Sequence, residues 1–268
     1  MEMSKKFYEF KNITPKSADL FIYGEIVDEK TQDFWTGEYS ETEVGLMDFK
    51  EELDSIGNVS VLNLYINSPG GDVFTASTMI SMLERKKSNG TVIKAFVDGL
   101  SASAASFLMM VADTIYLYKN SVVMVHKPMS YAVGNVIEMQ KTIDALNKIE
   151  ESVMLPMYMT KAKVSEQVIQ DLIAQESWLS ASDMERYFNV QVLNEEKIAV
   201  ASISPELFKR YKNIPEFLKN SLKIKEKEEK VENNDKKLEK ELKIRLNLVE
   251  NSLKIKERSE ENEVQSFS

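Results

Sequence analysis

LYINSPGGDVFTAS, residues 64–77, decides how this chain is read. A β-favouring run stops at Ser-Pro-Gly-Gly. From Val73 the apolar residues fall at helical spacing through VFTASTMISMLERKKS (73–88), and the pattern closes at SNG. A strand handing over to a helix is the joint of a βαβ unit. The glycine pair has two readings. One is a tight turn. The other is a site whose bare backbone N–H groups hold an oxygen carrying negative charge.

Outward from this joint, DLFIYGEIV (19–27) reads as a first strand, followed by a polar, turn-rich segment (28–45). LMDFKEELDSIG (46–57) has helical spacing and stops at Gly57. VSVLNLYIN (59–67), TVIKAFVDG (91–99), TIYLY (114–118) and SVVMVH (121–126) read as strands. SASAASFLMMVA (101–112) is rich in small residues, then apolar nearly all round, which predicts a buried helix. Residues 135–160 carry one long helical pattern interrupted at Pro156, and SEQVIQDLIAQ (165–175) is a shorter one. ESWLSASDMERYFNVQVL (176–193) reads as an extended entry, a helix capped at Ser180 with Asp183, and a final strand. The alternation predicts an α/β fold of repeated ββα or βαβ units with parallel pairing.

From about Ile203 the character changes. SPELFKRYKNIPEFLKN, with two prolines and exposed charge, reads as a linker over 204–220. Residues 221–268 are dominated by Lys, Glu and Asn. NSLKIKEKEE (220–229) returns as NSLKIKERSE (251–260), and Leu242, Leu246, Val249 and Leu253 follow the spacing of a short coiled-coil seam. A solvated, partly disordered tail is the other reading. The expected organisation is therefore a catalytic-sized domain (1–203), a linker (204–220) and a charged helical or disordered tail (221–268).

Composition prunes the chemistry. The 268 residues are 43% hydrophobic, enough for a sizeable core. There is no cysteine, so disulfides, thiol nucleophiles and cysteine-bound metals are excluded, as expected in a reducing cytoplasm. The formal net charge of −9 without a basic stripe argues against nucleic acid as the main partner. MEMSKKFYEFKN has no apolar h-region, so no secretory signal is expected, and no apolar run is long enough to span a bilayer. The single histidine, His126, excludes a multi-histidine metal site. Any imidazole base in the subunit must be that residue.

DGLSASAAS (98–106) places serines where a strand turns into a helix. A hydroxyl there sits among unpaired N–H groups at the positive end of the helix dipole, which suits an oxyanion. From spacing alone, helix caps and small residues for tight packing are the readier explanation of these serines. His126 ends an apolar strand, where a lone histidine is more often structural than catalytic, and Glu176 alone carries almost no signal. The conjunction is stronger. A nucleophilic serine needs a base, an orienting carboxylate and oxyanion donors. All four occur at element boundaries that can converge on one edge of a sheet.

YINSPGGDVFTA, DGLSASAASFLMMVAD, MVHKPM and ESWLSASDMERY together resemble the Clp protease proteolytic subunit family, serine endopeptidases of the crotonase-type ββα superhelix. The wording YGEIV, INSPGGDV, DGLSASAAS and ESWLSA is most similar to phage and prophage head-maturation proteases of this kind. The resemblance covers roughly residues 19–195. It implies Ser103, rather than Ser101 or Ser106, as nucleophile, His126 as base and Glu176 as the acidic member. It implies the Gly71 and Ala104 N–H groups as oxyanion donors, and Gly70, Asp72, Val73, Pro128 and Met129 as binders of a substrate strand. No metal or cofactor is implied. It further implies a homo-oligomer, a heptameric ring or stacked double ring with 135–160 as a protruding handle. Polypeptide substrates would include capsid, scaffold or portal chains in a bacterial cytoplasm, and a Clp ATPase partner is left open. Two positions depart from the family pattern. Ala112 replaces a small Gly, and the helix near 185–190 lacks its terminal glycine, for which Asn189 is expected to supply the left-handed residue. A crotonase-type acyl-CoA enzyme and a non-catalytic scaffold on the same fold are the alternatives.

Overall fold

Alternating burial begins at the first strand. In β1 (Ser17–Tyr23) Ala18, Leu20 and Ile22 point into the core. The expected run 19–27 is two strands, because Gly24 turns the chain at φ 118° before β2 (Glu25–Val27). A side chain at Gly24 would lie 2.3 Å from the Thr42 carbonyl oxygen. The computed structural model describes residues 16–34, 36–196 and 211–216. Packing divides the chain into two compact units, Met1–Asn213 and Ile214–Ser268. The repeat and the coiled-coil seam read in the tail lie outside the described residues, as does most of the linker.

β3 (Glu43–Gly45) pairs with β2 in parallel and leads into α1 (Leu46–Ser55). β4 (Val61–Ser68), α2 (Val73–Ser88) and β5 (Val92–Ala102) form the βαβ unit expected from the glycine joint. After β5 come the short α3 (Ala104–Leu108), a 3₁₀ turn (Met109–Val111), β6 (Thr114–Tyr118) and β7 (Val122–Val125). The long pattern at 135–160 is α4 (Val136–Ile149), a π-helical stretch (Glu150–Met154) and α5 (Leu155–Met159). The π turn, immediately before Pro156, is where the i→i−4 ladder gives way. α6 (Glu166–Ala174), β8 (Ser177–Ser180), α7 (Ala181–Tyr187) and β9 (Gln191–Leu193) complete the order.

The central sheet runs β1-β4-β5-β6-β9, with all these pairs parallel. This is the expected mixed α/β architecture. β5 is long enough to do two things. Lys94–Val97 pairs with β6, while Leu100–Ala102 pairs with β7, which in turn pairs antiparallel with β8. The sheet therefore forks at the end of β5. Leu62, Leu64, Ile66, Ile93, Ala95 and Val97 supply its buried face. On the other face Phe21, Tyr65, Phe96 and Tyr116 stack rung on rung, with ring centroids 4.9–5.1 Å apart.

One cap was legible in the sequence, and one terminus and a second cap were not. Ser180 and Asp183 form the expected capping box on α7. Asn189 is not left-handed. Its N–H donates to the Lys161 carbonyl at 2.7 Å, and α7 ends instead through an extended Phe188 (φ −130°). Asp72 caps α2, accepting from the Thr75 N–H at 2.7 Å. Asp72→Ala is expected to lower stability by about 1 kcal/mol, read as a reduced urea midpoint at unchanged slope. An unchanged midpoint contradicts the cap's contribution.

Candidate active site

Strand register decides which side chains meet. Ala102 on β5 pairs with Met124 on β7, and Val125 on β7 pairs with Ser177 on β8. One residue beyond these rungs lie Ser103, His126 and Glu176, all at the same end of the forked sheet. The His126 Nε2 stands 2.7 Å from the Ser103 Oγ. His126 is 6% exposed.

The backbone at two of these positions is unusual. Ser103 (φ 51°, ψ −123°) and Glu176 (φ 51°) are the two non-glycine residues with positive φ among the described residues. Such conformations cost about 1–3 kcal/mol each and persist where the surroundings over-determine them. At Ser103 the surroundings are clear. Its N–H donates to the Met124 carbonyl at 2.9 Å, and α3 starts at the next residue. The turn lifts the hydroxyl off the strand and points it at the imidazole. Its neighbours have other tasks. Ser101 is fully buried, and Ser106 Oγ binds the Tyr158 hydroxyl and the Ser103 carbonyl, both at 2.6 Å.

The glycine pair packs against this turn. Gly70 has φ 89° and Gly71 φ 148°. The Gly70 carbonyl accepts from Ile26 N–H, and Asp72 N–H donates to the Ile26 carbonyl, each at 2.8 Å, so the joint is sewn to β2. A Cβ on Gly70 would lie 2.7 Å from both Ala104 N and Ser103 Cβ. Among the described residues no hydrogen bond takes up the Gly71 N–H, and Ala104, first in α3, has no intrahelical acceptor for its own. Both donors flank the nucleophile turn.

Ser103 and His126 line a cavity of about 500 Å³. Gly70, Gly71, Val73, Pro128 and Met129 line it too. Asp72 does not. Its carboxylate is spent on the cap of α2. Burial pushes the His126 imidazole below the ordinary 6.5, and the Glu176 charge opposes that shift. No hydrogen bond joins Glu176 to the ring. Its Oε1 instead accepts the backbone N–H groups of Lys212 and Asn213, each at 2.7 Å. Among the described residues no group of three or more His, Asp or Glu side chains is placed to hold a metal, and no helix is long and apolar enough to cross a membrane.

The model of the Clp protease family matches residues 42–193, more than half of the chain. The chain belongs to the Clp protease family. Membership implies a serine-type peptidase, and the matched region holds the glycine pair, Ser103, His126 and Glu176. Tyr211, Lys212 and Asn213 lie beyond it. They sit in the stretch read as linker, and no motif or periodicity singles them out. Tyr211 nonetheless lines the cavity, with its ring edge-on to His126 at 5.4 Å between centroids and to Trp178 at 5.8 Å.

Proposed function

We propose that this Clp-family chain is a serine endopeptidase in which Ser103 is the nucleophile and His126 the general base. The observation that carries the reading is the 2.7 Å contact between Ser103 Oγ and the chain's one imidazole, at a strained turn facing a cavity. Ser103 Oγ bonds to the scissile carbonyl carbon as its proton passes to His126 Nε2. The oxyanion is received by the N–H groups of Gly71 and Ala104. Collapse breaks the C–N bond, and the imidazolium returns its proton to the leaving amine. Water then repeats the sequence on the acyl-enzyme, regenerating the hydroxyl. Glu176 completes a Ser-His-Glu set. Its charge stabilises the imidazolium through space.

The substrate peptide lies as an added strand between the Gly70–Val73 edge and Pro128–Met129. The subunit works in a ring oligomer, with α4 as the handle between stacked rings. Val136, Ile137, Met139 and Ile143 are exposed on that helix, and an apolar face of this kind is usually covered by a partner. The motif wording favours capsid, scaffold or portal chains as substrates, cut during phage head maturation.

Co-expression with capsid, scaffold and portal chains, followed by mass spectrometry of the products, tests activity and specificity together. New internal N-termini are expected. Intact chains together with turnover of an acyl-CoA thioester would favour the crotonase-type alternative instead.

The pH dependence has a definite sign. The base must be neutral, and burial favours the neutral imidazole. The acid limb of kcat/KM is therefore expected at a pKa below 6.5. A limb at or above that value contradicts the buried base.

A further inference from the structure

We propose that Tyr211–Asn213, beyond the Clp-family region, is a working part of the active site: Tyr211 is a positioning residue that walls the His126 imidazole, and the Lys212 and Asn213 amides clamp Glu176. This rests on the peptidase reading above and names a control of the same site that the family region does not contain.

Three independent contacts place the segment. The Tyr211 hydroxyl donates to the Pro69 carbonyl at 2.8 Å, tying the segment to the Ser-Pro-Gly-Gly joint that carries the oxyanion donor. Its ring is edge-on to both His126 and Trp178. The amides of the next two residues converge on one oxygen of Glu176, and Asn213 Nδ2 donates to the Gln175 carbonyl at 3.0 Å. One short stretch thus touches the glycine joint, the base and the acid. Two amide donors on a single carboxylate oxygen fix where the negative charge sits. A ring against the imidazole keeps water from it. The titratable groups around His126 are Glu176 and Tyr211, with Glu25 and Tyr131 across the cavity. Lys127, next in sequence, is paired with Glu150 at 2.8 Å.

The chain holds one histidine, so an NMR titration of the imidazole reads this site without assignment ambiguity. In the full-length protein, Tyr211→Ala is expected to raise the His126 pKa toward its ordinary value, because the ring that excludes water is gone. It is also expected to lower kcat/KM on the order of tenfold to a hundredfold. Tyr211→Phe, which keeps the ring and loses the tie to Pro69, is expected to restore the parental titration and most of the rate. A Tyr211→Ala protein with the parental titration and parental kcat/KM overturns the proposal. So does a rise in kcat/KM, which would make the segment a brake. Should the alanine variant not fold, Lys212→Pro deletes one amide donor to Glu176. A lower kcat at parental KM supports the clamp, and parental kinetics contradict it. A parent protein that hydrolyses no peptide would instead sink the peptidase reading, while the titration still reports on the wall.

Discussion

Ser103→Ala is expected to lower peptide hydrolysis on the order of a millionfold while leaving the melting transition close to that of the parent. The size follows from the loss of covalent catalysis. Without Oγ no acyl-enzyme forms, and the base and oxyanion donors act on water alone. No neighbouring hydroxyl can take over. Ser101 is fully buried, and Ser106 is held by Tyr158 and the Ser103 carbonyl. The fold should survive because Ser103 Oγ supports no cap on α3, and alanine removes only that oxygen. Steady-state hydrolysis of a fluorogenic peptide beside a thermal melt checks both halves. Residual activity within tenfold of the parent would remove Ser103 from the chemistry.

The second large effect is expected at the glycine pair. A Cβ on Gly71 would lie 2.0 Å from the Ile26 carbonyl oxygen, and one on Gly70 2.5 Å from the Ala102 carbonyl oxygen. These are backbone atoms of β2 and of the end of β5, so no side chain can swing aside. Both glycines also hold positive φ, where a Cβ is strained whatever the space. Relief must come from moving the joint, and the joint carries the Gly71 N–H. Gly71→Ala is therefore expected to lower kcat by at least about 10²–10³, the effect of a lost oxyanion donor. The melting temperature should fall as well. Gly70→Ala should do similar damage from the other side, by pressing on Ala104 N and Ser103 Cβ. Parental kcat in either variant would mean that the two glycines serve the turn and not the reaction.

Local chemistry was written plainly in the sequence. Helix α2 occupies 73–88 as its apolar spacing and closing Ser-Asn-Gly indicate. The Ser180–Asp183 box was equally visible. Where the reading slipped, a neighbour elsewhere in the chain had decided the local conformation. Gly24 breaks 19–27 because the Thr42 carbonyl lies against it. The expected helix over 101–112 starts at Ala104, since Leu100–Ala102 still belong to β5 and pair with β7. Asn189 needs no left-handed turn, because Lys161 receives its N–H.

The meeting of Ser103 with His126 follows from a register between β5 and β7 that no single stretch encodes. A resemblance carried by four separated motifs was what pointed to it. Tyr211 left no trace at all. A tyrosine among lysines and prolines has no periodicity, and its three partners are 142, 85 and 33 positions away in sequence.

Mapping the adduct of a fluorophosphonate probe by peptide mass spectrometry, in the parent and in His126→Ala, tests the core chemistry most directly. A single adduct on Ser103, formed far more slowly once the imidazole is gone, is the expected result. A catalytically active preparation labelled at Ser101, at Ser106 or nowhere, or labelled equally fast without His126, contradicts it.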